Sequence, residues 1–361
     1  MIKRIPLFVL AAGVVVLCLA LAPQDPGVDR GRALFDKAFS RVDGVGAPEM
    51  NADSCRGCHR DPMMGGAGPL EFNVSRFARD EGGAGPFSNL PGGQGLSVLY
   101  PPHVPGREEY DEATADVFEQ RQTPSVLGDG LIDTISDSVI IANEDPTDAD
   151  GDGIFGVARR LNVSSNIEIG KFGWKAQVPT LRDFTNDAMF GELGITTPDD
   201  GRGFGMRTDG DTIADPEISA AQVDDITDFM VSLPAPARGG SVDPQVAIGE
   251  ALFATIGCAV CHIPELTGSG GPVALYSNLL LHNVMPSNYR GMEEPGAGVG
   301  FFRTPPLWGI KDTAPYMHDG RAEDLNAAIL SHDGESTAVR QAYEALSAVD
   351  MQALLLFLED L

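Results

Sequence analysis

Apolar positions along the chain fall into two matching sets. Ile218, Val223, Ile226, Phe229, Met230 and Leu233 recur at helical spacing after Pro216, a favourable helix start, and predict a helix that closes a first half. Tyr343, Leu346, Val349, Leu354, Phe357, Leu358 and Leu361 repeat the pattern at the C-terminus. Between the two sets, Pro234-Ala235-Pro236-Ala237-Arg238-Gly239-Gly240 has the composition of a linker. Earlier segments also echo one another. Gly31-Arg32-Ala33-Leu34-Phe35 matches Gly249-Glu250-Ala251-Leu252-Phe253. Thr123-Pro124-Ser125-Val126-Leu127-Gly128 matches Thr304-Pro305-Pro306-Leu307-Trp308-Gly309, with Arg121 and Arg303 just upstream. The chain reads as a diverged internal repeat with halves at 29–235 and 240–361. The middle of the first half, Arg60 to Asp215, is rich in Gly and Pro and reads mostly as loop. Within it, Gly201-Arg202-Gly203-Phe204-Gly205 lacks a preceding strand pattern and reads as a turn, not a nucleotide loop.

A different apolar run, Ile5 to Ala22, follows basic Lys3-Arg4 and precedes Gln24-Asp25. That order reads as an export signal. The run is also nearly long enough to span a bilayer, so residues 1–28 read as a signal peptide or an N-terminal membrane anchor. Ala20-Leu21-Ala22 offers a small-residue cleavage pattern, against which Pro23 counts. Cys18 follows Leu17, where a lipid-attachment signal would place a small residue, and reads as apolar filler. The expected location is periplasmic or otherwise extracytoplasmic.

Length and charge narrow the partners. The 361 residues suit two domains, and the net charge of −27 disfavours nucleic acid and anionic membrane surfaces. A redox partner protein or a small neutral molecule suits the chain better. Five cysteines are present. Apart from Cys18, all fall within two Cys-x-x-Cys-His motifs, Cys55/Cys58/His59 and Cys258/Cys261/His262. Two thiols at this spacing can bond the two vinyl groups of one porphyrin, and the following His is held under the iron as axial ligand. A four-cysteine zinc site or two redox-active pairs would use the cysteines but leave the His after each pair unexplained. The motifs therefore predict two covalently bound c-type haems. Each half then has the order helix, haem motif, loop, closing helix. The expected fold is mainly α: two cytochrome c-like domains with long loop-rich insertions in the first.

The segments Asn51-Ala52-Asp53-Ser54-Cys55-Arg56-Gly57-Cys58-His59, Lys171-Phe172-Gly173-Trp174-Lys175-Ala176-Gln177, Arg303 to Gly309 and Thr313-Ala314-Pro315-Tyr316-Met317-His318-Asp319-Gly320-Arg321 carry a specific resemblance. The chain resembles the dihaem oxidoreductase and peroxidase family, also labelled thiol oxidoreductase, which is related to dihaem bacterial cytochrome c peroxidases. The thiol label finds no support here, because no free Cys pair remains outside the motifs. In related peroxidases, the Thr-Ala-Pro-Tyr-x-His-Asp-Gly segment is followed about fourteen residues later by the second ligand of the C-terminal haem, usually Met. Here that position is His332, which the resemblance makes the partner of His262. His318 is the alternative, and His282 and His103 are further candidates. The N-terminal haem has no evident second ligand. Met63 and Met64 follow His59 too closely to reach its other face, and His103 sits in the rigid Pro101-Pro102-His103-Val104-Pro105.

An open iron face suits peroxide, whose cleavage needs a nearby acid and base. Asp133 matches an acidic family position, with Glu119 and Glu144 as alternatives. Trp174 reads as an electron relay between the haems or as packing. Asp148, Asp150 and Asp152 alternate before a glycine turn and read as a calcium site or an acidic turn, with Arg159 where an EF-hand would place Glu. The resemblance implies a peroxidase-type oxidoreductase in which the C-terminal haem passes electrons to a reactive N-terminal haem that meets peroxide or another small oxidant. A pure electron carrier with two six-coordinate irons, and an oxygenase acting on an organic substrate, are the rival readings.

Overall fold

The computed structural model describes residues 25–46, 52–78 and 117–361. The apolar run at 5–22, Cys18 and His103 lie outside the described residues. Helices dominate: α1 (Pro26–Asp36), α2 (Cys55–Cys58), α3 (Asp129–Asp133), α4 (Asp137–Ile141), α5 (Leu181–Leu193), α6 (Ala220–Ser232), α7 (Pro244–Thr255), α8 (Cys258–Cys261), α9 (Leu325–Leu330), α10 (Thr337–Glu344) and α11 (Ala348–Asp360). Four antiparallel ribbons, which the sequence pattern did not suggest, accompany them. They are β1–β2 (Val74–Ala78, Val117–Arg121), β3–β4 (Arg160–Val163, Asn166–Ile169), β5–β6 (Leu266–Gly268, Gly271–Val273) and β7–β8 (Leu281–Asn283, Phe301–Arg303).

The repeat is visible in two equivalent helix pairs, α1 on α6 and α7 on α11. Gly31 and Gly249 make both contacts close. A Cβ on Gly31 would overlap the carbonyl of Asp225, and one on Gly249 the carbonyl of Ala353. One turn on, Phe35 packs on Phe229 with ring centroids 5.2 Å apart, and Phe253 on Phe357 at 5.3 Å. The same phenylalanines lie against His59 at 6.1 Å and His262 at 6.3 Å. The repeated Gly-x-Ala-Leu-Phe thus sets a close helix crossing and an aromatic floor for each Cys-x-x-Cys-His turn. Alanine is intrinsically better than glycine in a helix by about 1 kcal/mol. At Gly249 the clash with backbone should win, so Gly249→Ala is expected to destabilise by about 1–3 kcal/mol net in denaturant unfolding. A stabilised variant would show the crossing to be loose.

The closing helices begin later than their apolar pattern suggests. Ser219 caps α6 in a capping box with Gln222, so Pro216 lies outside the helix. In the second half the pattern spans two helices: Tyr343 belongs to α10, and Ser347 caps α11. The stretch read as mostly loop holds a thirteen-residue helix, α5, capped by Thr180, whose side chain accepts from Asp183 N. Two large buried cores and two small clusters result among the described residues. The first includes Leu266, Val273, Leu275, Leu279 and Leu280, which follow the second Cys-x-x-Cys-His, so the halves share a packed seam. Backbone bridges Ile135↔Gly268 and Val157↔Leu281 cross the same seam.

Candidate functional site

Each Cys-x-x-Cys-His turn opens into its own cavity. The smaller, about 140 Å³, is walled by Cys55, Cys58 and His59 from α2, Phe35 from α1, Arg76 and Arg121 from β1–β2, Ile226 from α6, and one face of α5. Ser54 caps α2 by accepting from Gly57 N at 3.1 Å. Burial pushes both thiols up, Cys55 to about 12, so neither behaves as an activated thiolate. The two cysteine pairs line different cavities, which removes the four-cysteine zinc site.

Phe184, Thr185, Asp187, Ala188 and Glu192 of α5 face the smaller cavity. Burial raises the Asp187 carboxyl to about 6, with Arg76 opposing. Two methionines, Met189 and Met230, also border it, yet they are only 1% and 4% exposed and pack into the core. His59 is the only imidazole lining this cavity among the described residues, and burial lowers it to about 4.

The larger cavity, about 270 Å³, holds Cys258, Cys261 and His262 together with His332, which follows α9. His262 donates its Nδ1–H to the carbonyl of Tyr276 at 2.9 Å. His332 donates its Nδ1–H to the carbonyl of Ala328 at 2.8 Å. Each bond fixes the tautomer and leaves Nε2 with a free lone pair, the arrangement that metal-binding imidazoles require. Burial keeps both rings neutral, His262 down to about 3, with the nearby His332 and His282 lowering it further. His282 also lines this cavity, but both its nitrogens are taken. Nδ1 pairs with Glu335 at 2.8 Å and Nε2 accepts from Asn278 at 3.0 Å. His318 is held by Tyr289 at 2.9 Å and stacks on Phe302 at 3.9 Å. This donor set fits a haem: a thiol pair and a following imidazole in each cavity, with a second imidazole, His332, in the larger. His262 and His332 are tied through Nδ1, while the buried Nδ1 of His59 has no hydrogen-bond partner among the described residues.

Trp174 borders both cavities. Its Nε1–H donates to the carbonyl of Gln122 at 2.7 Å, and its ring meets His318 edge-on at 6.5 Å. The candidate acids fall elsewhere. Asp133 lines neither cavity and accepts from Leu181 N at 3.2 Å, seating the first turn of α5. Glu144 is bound by Arg160 at 2.9 and 2.8 Å. Burial pushes Glu119 up, but Arg121, Lys175 and His318 outweigh it and hold the carboxyl below the usual range, so it stays ionised. Asp187 is the acid that sequence reasoning missed. Its signal was the Thr180-x-x-Asp183 cap ahead of an apolar stripe interrupted by Asp187. In the acidic turn, Asp145, Asp148 and Asp150 bring oxygens within 4.8 Å of one another. Asp152 is absent from that group and accepts from Ile154 N at 2.8 Å.

Comparison with known proteins places the chain beside several others. A loose likeness in fold extends to a hydrazine synthase structure of Kuenenia stuttgartiensis, 14% identical over 99% of this chain and 100% of that one, with a TM-score of 0.43. A MauG-like protein associated with microbial copper homeostasis is 18% identical over 94% of this chain and 91% of that one, with a TM-score of 0.45. The methylamine utilization protein MauG of Paracoccus denitrificans (strain Pd 1222) is 28% identical over 110 residues, 25% of this chain and 28% of that protein. The chain therefore spans under a third of that relative's length. The family described as "Di-haem oxidoreductase, putative peroxidase" matches residues 112–361, well over half of the chain. The chain belongs to this family of di-haem oxidoreductases.

Proposed function

We propose that the protein is an extracytoplasmic di-haem enzyme of peroxidase type, built from two cytochrome c-like halves, with residues 1–28 as export signal or anchor. Cys55/Cys58 and Cys258/Cys261 hold one covalent haem each, with His59 and His262 as the ligands beneath. His332 completes the C-terminal site. The observation that carries this reading is the asymmetry of the cavities. One presents two tied imidazoles, His262 and His332, and the other presents His59 alone; each also holds a carboxyl raised by burial, Asp129 to about 7 in the first and Asp187 to about 6 in the second.

Haem supplies one-electron chemistry and, where one iron face is open, a place for peroxide to bind. Asp187, in the wall of the cavity that would hold the His59 haem, would take up a proton from peroxide and give it back as acid. Asp133 anchors the helix that carries Asp187. Trp174, in the wall between the cavities, suits a relay from the His332 side to the His59 side, with a redox partner protein or small donor feeding the former. Electron paramagnetic resonance of the ferric protein tests the asymmetry: one low-spin and one high-spin iron are expected. Two low-spin signals would favour the pure electron carrier.

The acidic turn is proposed as a calcium site built from Asp145, Asp148 and Asp150, whose oxygen spacing suits a cation taking carboxylates at about 2.3–2.6 Å. Calcium is expected to raise the unfolding temperature of the native protein but not of the Asp148→Asn variant. Absence of any stabilisation would remove the site.

A further inference from the structure

We infer that Arg121 and Arg76 clamp a propionate of the N-terminal haem, and that this clamp raises the haem's reduction potential. The inference rests on the reading that the smaller cavity holds a haem.

The ribbon β1–β2 buries charge. Val117, Glu119 and Arg121 face inward, reversing the usual alternation by burying charge. Arg76 sits opposite Glu119 in the register, and both arginines line the smaller cavity. Around them, Glu294 accepts from Arg76 at 3.1 Å and Arg159 at 2.8 Å, and pairs with Arg121 at 2.7 Å. Glu119 accepts from Arg121 at 2.7 Å, Tyr289 at 3.0 Å and the Met292 N–H at 3.0 Å. Lys175, fully buried, donates to the carbonyls of Gly298 and Phe301 and lies over the Phe302 ring.

Four cations, Arg76, Arg121, Arg159 and Lys175, thus share two ionised carboxylates by direct contact, and Asp187, ionised above about pH 6 near Arg76, adds a third charge that still leaves a positive surplus. A buried surplus of positive charge is costly unless an anion meets it. Two donors point to where that anion belongs. Arg121 Nη2 and Arg76 Nε are buried without a hydrogen-bond partner, and the Arg121 side chain is only 5% exposed. No hydrogen bond joins Asp187 to either guanidinium among the described residues. A planar carboxylate in the cavity would fill both gaps, and haem carries two such groups on flexible arms. Fixed positive charge beside the porphyrin favours the ferrous state over the more positive ferric state, which raises the potential.

Arg121→Gln and Arg76→Gln are compared with the native two-haem protein by spectroscopic redox titration and by resonance Raman of the propionate bending modes. Arg121→Gln is expected to weaken reduction of the N-terminal haem about tenfold, 59 mV for a one-electron couple, with shifted Raman modes. The His332-ligated haem should not move. Arg76→Gln should change the same haem in the same direction by less. Should Arg121→Gln fail to accumulate, Arg76→Gln decides, joined by Arg121→Lys, which keeps the charge, loses the fork, and should shift the Raman modes more than the potential. An unmoved potential and unmoved modes in Arg76→Gln and Arg121→Gln, or equal shifts of both haems, would overturn the clamp. The titration uses no peroxide, so its outcome is independent of whether the protein reduces peroxide. A native chain carrying one haem would overturn both this inference and the reading beneath it.

Discussion

Replacing Asp187 by Asn is expected to slow the reaction with peroxide by about 10²–10⁴-fold, the range that a positioned proton-transfer group contributes. The substitution keeps the shape of the side chain and removes only its ability to exchange a proton. The pH profile gives a second readout. Burial raises the carboxyl to about 6, so its base form accumulates as pH rises through that value. Peroxide must lose a proton to react, so the native rate should climb from acid pH and level off above about pH 6. The variant should be slow at all pH values and lack this step, while its ferric spectra stay native. A native rate with a native profile would exclude Asp187 as the acid and base.

What made Asp187 invisible in the sequence is instructive. The chain has 52 Asp and Glu, so an acidic residue carries little information by itself. Asp133 drew attention through its place after a repeated Thr-Pro motif, and the fold uses it to seat α5 instead of exposing it to a cavity. The buried charge cluster was illegible for a different reason. Its partners meet over long sequence separations, such as the 218 residues between Arg76 and Glu294. Its strand keeps the period of two but inverts the usual chemistry, with Phe118 40% exposed while Glu119 and Arg121 are buried. Short motifs fared better. Cys-x-x-Cys-His leads each cavity, and Gly31 and Gly249 mark equivalent helix crossings. Each of these is a local device, whose chemistry is complete within a few residues. The ribbons escaped because strands of three to five residues are too short for an alternating pattern to stand out.

Replacing His332 by Gly is expected to convert the one low-spin ferric signal to high-spin while both haems remain attached. The expectation follows from three features. His332 lines the same cavity as His262, and the two imidazoles are electrostatic neighbours. Its Nδ1–H is committed to the Ala328 carbonyl, so Nε2 alone is available to a metal. Both ring nitrogens of His282 are bound elsewhere, to Glu335 and Asn278, and His318 has its Nε2 held by Tyr289. The side chain next in line to replace the lost ligand is Met317, which also lines the cavity. Capture of the iron by Met317 would leave the signal low-spin but move its g-values, because a thioether is a weaker donor than imidazole. Adding imidazole to the variant should restore the native spectrum. An unaltered spectrum in His332→Gly would remove His332 from the iron and, with it, the division of labour between the two cavities. A high-spin conversion that leaves peroxide reactivity confined to the His59 side would support that division at the point where it is most exposed to failure.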